Sequence, residues 1–442
     1  MNAARVARLV AVAVLTALIQ LAQLTRLPLP AAHAVSPPEV DDRWLPGAAS
    51  PAPPWPTVQR ETCQPIAADT PAPNRPAPLA ELPRLWELSR GAGQRVAVID
   101  TGVSRHRRLP DVVPGGDYVS TGDGTQDCDA HGTLVAGIIA ASGNPRREGF
   151  SGVAPEATVI SIRQSSAKFS PAGDRSHTGV GDVDTMAKAV RTAADLGASV
   201  INISSVACVP AASALNDRAL GAALAYAVDI KNAVVVAPAG NTGGAGGCPR
   251  QRPDATWDSV TVAVSPAWYD DYVLTVGSVN ADGKPSPFTL AGPWVDVAAP
   301  GEGVTSLGSE PVSGTSYAAP VVSGLAALVR ARHPALTARQ VMKRIEATAH
   351  HPPAGRDPVV GNGTVDALAA VSTDPNAPAR TAEPAPAAVR VAAPAPARPP
   401  NPQARDTALR GAAACLLVLV AALTTGAVVR RSRRTREGVP DD

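Results

Sequence analysis

Gln94-Arg-Val-Ala-Val-Ile-Asp100 is the stretch on which the fold turns: a short apolar run, strand-like from Val96 to Ile99, that stops on a carboxylate. Downstream, strand-like and helical runs alternate. Residues 131–141 read as helix, 158–162 as strand, 184–196 as helix, 199–204 as strand, 214–231 as helix and 233–237 as strand. That alternation predicts an α/β fold with a mainly parallel central sheet covered by helices on both faces. Residues 273–276 and 295–297 add short strands, and an apolar helix runs through 321–330. Thr337-Ala-Arg-Gln340 is a capping box that opens a further helix to about Ala349, and 79–89 has helical spacing upstream.

In an open parallel sheet the reactive crevice lies beyond the carboxyl ends of the strands, which is where Asp100 falls. A carboxylate there can orient an imidazole. His131 begins the helical run of Asp129-Ala-His-Gly-Thr-Leu-Val-Ala-Gly137. Asn241 closes Ala237-Pro-Ala-Gly-Asn241, again just past a strand end, where its side-chain amide can donate to a developing oxyanion. Val312-Ser-Gly-Thr-Ser-Tyr-Ala-Ala-Pro320 then leads into the apolar helix. Gly314 permits a tight turn, Ala318 and Ala319 keep the first helical turn slim, and the helix dipole favours negative charge at its start. Pro320 is expected in that first turn, where it costs little. Ser316 is thereby presented as a nucleophile.

Singly, each residue has a plain structural use: Asp100 in a turn, His131 at a helix start, Asn241 in a left-handed turn, Ser316 as a cap. In the order Asp, His, Asn, Ser they form a catalytic set. An esterase of the α/β-hydrolase type is excluded, because Gly314-Thr-Ser-Tyr-Ala318 is not G-x-S-x-G and the order differs.

Val98-Ile-Asp-Thr-Gly102, His131-Gly-Thr-Leu-Val-Ala-Gly137 and Gly314-Thr-Ser-Tyr-Ala-Ala-Pro320 together resemble the subtilisin (S8) family of serine proteases, over about residues 80–372. The resemblance implies a subtilisin-like three-layer fold and an endopeptidase acting on protein or peptide substrates. In that family's terms Ser316 attacks the scissile carbonyl, His131 takes and returns its proton, and Asp100 holds the imidazolium. Asn241 and the Ser316 N–H would form the oxyanion hole. Val200-Ile-Asn-Ile-Ser-Ser205 is similar to the family strand whose continuation pairs with the substrate backbone, which makes Ser204 and Ser205 substrate-binding candidates. Two departures stand out. Ser205-Val206 replaces the usual Leu-Gly, implying a narrower cleft, and Leu134 stands where a second histidine is common, leaving the triad intact.

Neither a cofactor nor a metal is expected. The cluster Asp123, Asp127 and Asp129 reads as a solvated loop, and residues 240–247 as a glycine-rich loop rimming the cleft rather than a phosphate cradle. The other histidines, His33, His106, His177, His333, His350 and His351, sit in no comparable motif.

The 442 residues can hold one large domain plus appendages, and a net charge of +2 points to no nucleic-acid partner. The 45 prolines imply extended segments outside the core. Residues 1–34 have a basic start, an apolar stretch and Ala32-His-Ala34, predicting a secretory signal peptide cleaved after Ala34. Residues 35–78 form a proline-rich arm, 79–372 the peptidase domain and 373–407 an Ala/Pro-rich linker that cannot bury enough apolar surface to fold. Residues 408–430 contain an uncharged apolar run of about 27 Å as a helix, enough to cross a bilayer. Five arginines from Arg430 to Arg436 place the tail, 431–442, in the cytoplasm and the domain outside the cell membrane.

Cys415 lies in the predicted membrane helix; Cys63, Cys128, Cys208 and Cys248 are exported and allow three pairings. Cys208 and Cys248 each follow a strand at the carboxyl edge of one sheet, so that Cys208–Cys248 needs little reach and Cys63–Cys128 is left to tie the arm near His131. Signal, proline-rich arm, linker and single C-terminal helix are together similar to the mycosins, membrane-anchored proteases of type VII secretion systems. That resemblance implies association with the secretion membrane complex, an arm that wraps the catalytic domain rather than a removable inhibitory prodomain, and a contribution to the complex independent of catalysis.

Overall fold

The computed structural model describes residues 35–66, 79, 81–143, 150–174, 179–211, 213, 215–243, 247–308, 310–372, 420 and 424. The predicted signal peptide, linker and tail lie outside these residues, as does the predicted membrane helix apart from two positions. The chain divides into two units, Met1–Pro375 and Asn376–Asp442. Of the second, Val420 and Thr424 are described, both helical, with the Thr424 hydroxyl donating to the Val420 carbonyl at 2.9 Å. Among the described residues no helix is long and apolar enough to cross a membrane.

In chain order the first unit comprises β1 (Thr57–Gln59), α1 (Leu82–Leu88), β2 (Arg95–Asp100), β3 (Val112–Asp117), α2 (His131–Ala140), β4 (Thr158–Arg163) and β5 (Phe169–Pro171). It continues with α3 (Val183–Asp195), β6 (Val200–Ile203), β7 (Ala207–Pro210), α4 (Arg218–Ala225, prolonged by a π turn to Ile230) and β8 (Val234–Pro238). The last elements are β9 (Val262–Ser265), β10 (Leu274–Val279), β11 (Val297–Pro300), α5 (Thr315–Arg332), α6 (Ala338–Thr348) and α7 (Ala367–Ser372).

Seven strands form one parallel sheet in the order β11-β10-β8-β6-β2-β4-β3. Val96 to Asp100 are all buried, as are all of β6 and β8, because helices cover both faces and no side of these strands meets water. From β2 the chain goes first to the edge strand β3, returns to place β4 between β3 and β2, and then crosses to the other side for β6, β8, β10 and β11. The order therefore reverses between β2 and β6. Beyond the carboxyl ends of strands at such a reversal the loops splay apart and leave a crevice. Asp100 ends β2, Ser204 follows β6, and Asn241 follows β8.

Helix α5 crosses this core. It is buried from Thr315 to Val329 except at Tyr317, and a helix apolar all round belongs inside a domain. Gly324 is required there: a Cβ at that position would lie 2.6 Å from the Val153 Cβ. Pro320 is not in the first turn as expected. Because α5 already begins at Thr315, Pro320 falls in its second turn, and its missing N–H removes the bond to the Ser316 carbonyl.

Three differences from the sequence reading have simple causes. Val112-Val-Pro-Gly-Gly-Asp117 is a strand although Pro-Gly-Gly signals a turn; it lies at the sheet edge, where a missing N–H is tolerated. The arm and the residues after β6 make two small antiparallel pairs, β1 with β5 and β7 with β9, too short to show a period. Helix α4 starts at Arg218 rather than near 214, after the buried Asp217. The Thr337 and Gln340 capping box is present, with the Thr337 hydroxyl accepting from the Gln340 N–H.

Candidate active site

Asp100 is held at the end of β2 with 2% exposure, and the N–H of Thr101 donates to its Oδ1 at 2.6 Å. His131, first residue of α2, brings Nδ1 within 2.8 Å of Asp100 Oδ1 and 3.0 Å of Oδ2. With Nδ1–H donating to a carboxylate, Nε2 is the free acceptor, and it lies 3.0 Å from Ser316 Oγ. Burial disfavours the charged ring, yet the Asp100 carboxylate beside it, with Asp127 and Asp129 nearby, outweighs that and raises the His131 pKa above its ordinary value.

Ser316 is the second residue of α5, where a backbone N–H has no acceptor within its own helix. Gly314 precedes the helix with φ +157° and ψ 154°, and a Cβ there would sit 3.1 Å from Ser316 Oγ and 3.4 Å from Asn241 Nδ2. Asn241 Oδ1 accepts from the Thr315 N–H at 2.9 Å and the Thr315 hydroxyl at 3.0 Å, so its Nδ2 faces the other way. The Ser316 N–H, without an acceptor inside α5, and Asn241 Nδ2, turned away from Thr315, are the two candidate donors for the space beside Oγ.

A cavity of about 330 Å³ opens on this space, lined by Ser204, Val206, Pro238, Asn241, Thr315 and Ser316, with Cys208, Cys248 and glycines of the 240–247 loop. Cys208 and Cys248 are bonded, with S–S 2.01 Å, and the Cys248 N–H donates to the Asn241 carbonyl at 2.8 Å. Cys63 and Cys128 are bonded at 2.09 Å, three residues before His131. Ser204 lines the cavity with Ser316, its hydroxyl accepting from the Asn202 amide at 2.6 Å. Ser205 does not share it. It lines a separate cavity of about 120 Å³ with Ser165, Met186, Leu220 and Pro266, and Val206 borders both. A larger groove of about 500 Å³, between residues 36–40 and 257–272, includes none of these side chains.

Tyr317 has no signal as a contributor in the sequence, and the acidic cluster before His131 has one that points elsewhere. The Tyr317 ring lies against the His131 ring, centroids 4.9 Å apart, and burial followed by the Asp100 and Asp127 charges pushes its hydroxyl pKa upward. Asp127 and Asp129 are not a solvated loop. Asp127 receives four donors from the turn and first helical residues around His131 and a fifth from the Thr101 hydroxyl beyond β2, and Asp129 accepts from the Ser166 hydroxyl and the Ala167 N–H; of the three carboxylates only Asp123 is exposed. Among the described residues no group of three His, Cys, Asp or Glu side chains is placed to hold a metal ion.

The chain matches the subtilase family (peptidase S8) over residues 91–371. It is similar to Mycosin-4 of Mycobacterium tuberculosis, 68% identical over 443 residues that cover 96% of this chain and 97% of that protein. Among solved structures it resembles the MycP3 protease from the type VII (ESX-3) secretion system, with TM-score 0.70 and 45% identity, covering 77% of this chain and 100% of that one. It also resembles a chain of an intact ESX-5 inner membrane complex, with TM-score 0.69 and 40% identity, covering 89% of this chain and all of that one.

Proposed function

The chain belongs to the subtilase family and is a serine endopeptidase; from that premise we propose that Ser316, His131 and Asp100 carry its chemistry in the extracytoplasmic space beside a type VII secretion membrane complex. The observation that carries this is the unbroken hydrogen-bonded chain from Asp100 through His131 to Ser316 Oγ, ending beside two oxyanion donors.

In this reading His131 Nε2 removes the Ser316 hydroxyl proton as Oγ attacks the scissile carbonyl. Asn241 Nδ2 and the Ser316 N–H receive the charge that forms on the carbonyl oxygen. The imidazolium, stabilised by Asp100, returns its proton to the leaving amine, and the acyl group stays on Ser316. Water activated by the same imidazole then releases it. Ser204, beside Ser316, is assigned to the substrate main chain, and Ser205, in its separate cavity, to a neighbouring substrate side chain. The Cys63–Cys128 and Cys208–Cys248 bridges brace the two sides of this centre.

Anchoring is proposed through residues 408–430, with the signal peptide removed after Ala34 and the 431–442 tail in the cytoplasm. The apolar run and the arginines after it support this. Association with the secretion complex is supported by the likeness to a chain of the ESX-5 inner membrane complex. The same likeness favours a second reading, in which the protein chiefly stabilises that complex and proteolysis is dispensable.

Ser316→Ala separates the two. In membranes carrying the full chain, fluorophosphonate labelling is expected for the native protein and none for the variant; persistent labelling overturns the nucleophile assignment. Restored secretion by Ser316→Ala in a deletion strain favours the structural role, and loss of secretion the processing role.

A further inference from the structure

Asp127 lies four residues before His131, in the turn that delivers the imidazole. All five of its contacts are donations to it. Oδ1 accepts from the Thr101 hydroxyl at 2.9 Å, the Asp129 N–H at 3.1 Å and the Ala130 N–H at 2.8 Å; Oδ2 accepts from the Thr133 N–H at 2.9 Å and the Thr133 hydroxyl at 2.7 Å. A protonated carboxyl would need an acceptor for its own proton, so this set suits the ionised form. Three of the five donors are backbone N–H groups at the start of α2, where Ala130 holds a left-handed φ of 67° and makes no side-chain cap. Asp127 does the capping from outside the helix, and its charge suits the positive end of the helix dipole.

The same carboxylate reaches the other half of the pair. Thr101, whose hydroxyl it receives, follows Asp100 directly, and the Thr101 hydroxyl in turn accepts from the Gly132 N–H at 2.9 Å. The residue after the catalytic carboxylate and the residue after the catalytic imidazole are therefore bonded to one another through a hydroxyl that Asp127 orients. Thr133 is fixed further by the Ser104 N–H, which donates to its hydroxyl at 2.9 Å. Resting on the proteolytic reading above, we infer that Asp127 is a positioning residue: it locks β2 to the start of α2 so that Asp100 and His131 meet, and it stands as a second negative charge behind the imidazole.

The groups facing His131 are Asp100 from β2, Asp127 and Asp129 from the turn, and the Tyr317 ring and Ser316 hydroxyl from α5. Three of these are carboxylates. The Asp100 charge, followed by those of Asp127 and Asp129, favours the protonated ring against its burial. Burial raises the pKa of Asp127 itself, and the Asp100 charge adds to this in spite of the Thr133 and Thr101 bonds. Removing the Asp127 charge must therefore let His131 lose its proton at lower pH.

The test uses the full chain in membranes, with the rate of fluorophosphonate labelling measured across pH. Asp127→Asn is expected to slow labelling on the order of 10- to 100-fold, the scale of a misplacement in a reacting pair, and to move the acid limb of the profile to lower pH. Thr133→Val, which keeps the charge and removes one hydroxyl, is expected to slow labelling without moving the limb, and Thr133→Ser to restore the rate. A slower Asp127→Asn with an unmoved limb, or one as fast as the native protein, overturns the inference. If Asp127→Asn does not accumulate, equal rates for Thr133→Val and Thr133→Ser overturn it. Should the native chain not label at all, the proteolytic reading fails by itself. The low-field imidazole proton of His131, titrated by NMR in the solubilised chain with Asp127→Asn beside it, then still decides whether Asp127 acts on that ring.

Discussion

The two sides of Ser316, the proposed nucleophile, are built by different means. On the histidine side the geometry is held by side chains and by the arm. Asp127 ties the turn to β2, Cys128 bonds to Cys63, and Asp129 holds residues 166–167. The arm grips the same neighbourhood: β1 pairs with β5, the Gln64 N–H donates to the Cys128 carbonyl at 2.8 Å, and Glu61 meets Lys168 at 2.6 Å. On the serine side the geometry is set chiefly by main chain, the Gly314 turn and the N-terminus of α5, onto which the Asn241 side-chain oxygen is clamped at Thr315. Side-chain bracing can be adjusted by a single substitution; a backbone turn at a buried helix start cannot move without the helix. The histidine side is therefore where the chemistry can be tuned, and the serine side where it is fixed.

The sharpest way to break that contrast is Asp100→Asn. It preserves shape but lets the side-chain amide donate, so that the imidazole is held in the wrong tautomer. A loss in kcat on the order of 10⁴-fold is expected, the scale of that change in serine proteases. A loss under tenfold would mean that Asp127 and Asp129 suffice to orient the ring.

The two disulfides compare the sides directly. Cys63 and Cys128 are 65 residues apart and Cys208 and Cys248 are 40 apart, so loop-closure entropy gives each about 4 kcal/mol of stability, nearly equal. Their functional effects should differ. Cys63→Ser with Cys128→Ser is expected to lower kcat by loosening the turn before His131, whereas Cys208→Ser with Cys248→Ser should raise KM by loosening the cavity wall beside Ser316. Denaturant midpoints and steady-state kinetics on the same variants check both halves. Equal kinetic effects would dissolve the distinction between the sides.

How much of this was legible in the sequence follows the same division. The parallel sheet, and the strand or helix ends bearing Asp100, His131, Asn241 and Ser316, could be read because buried strands and helices carry periodic apolar patterns and glycine marks tight turns. The start of α5 could not be placed, since Thr315 and Ser316 give no apolar signal, and this put Pro320 in the wrong turn. Asp127 was invisible for another reason. A carboxylate beside Gly124, Thr125 and Asp129 has the composition of a solvated loop, and only the fold shows that Thr101, Ala130 and Thr133 all point their donors at it. Ser204 and Ser205 are both substrate-binding candidates by sequence, because spacing along the chain does not say that their cavities differ.

Asn241→Ala probes the serine side with a smaller expected effect than Asp100→Asn. Loss of one oxyanion donor lowers kcat about 100- to 1000-fold in serine proteases, because the charge then forms in a partly dry space with one partner missing. Here the same substitution also strips the Thr315 N–H and hydroxyl of their acceptor. If the main chain fixes this side, α5 stays in place: KM should hold, the pH limb set by His131 should not move, and only kcat should fall. A shifted limb would show that Asn241 supports the imidazole through Thr315 and Ser316. The serine side would then be as adjustable as the histidine side, and the two would have to be treated as one coupled unit.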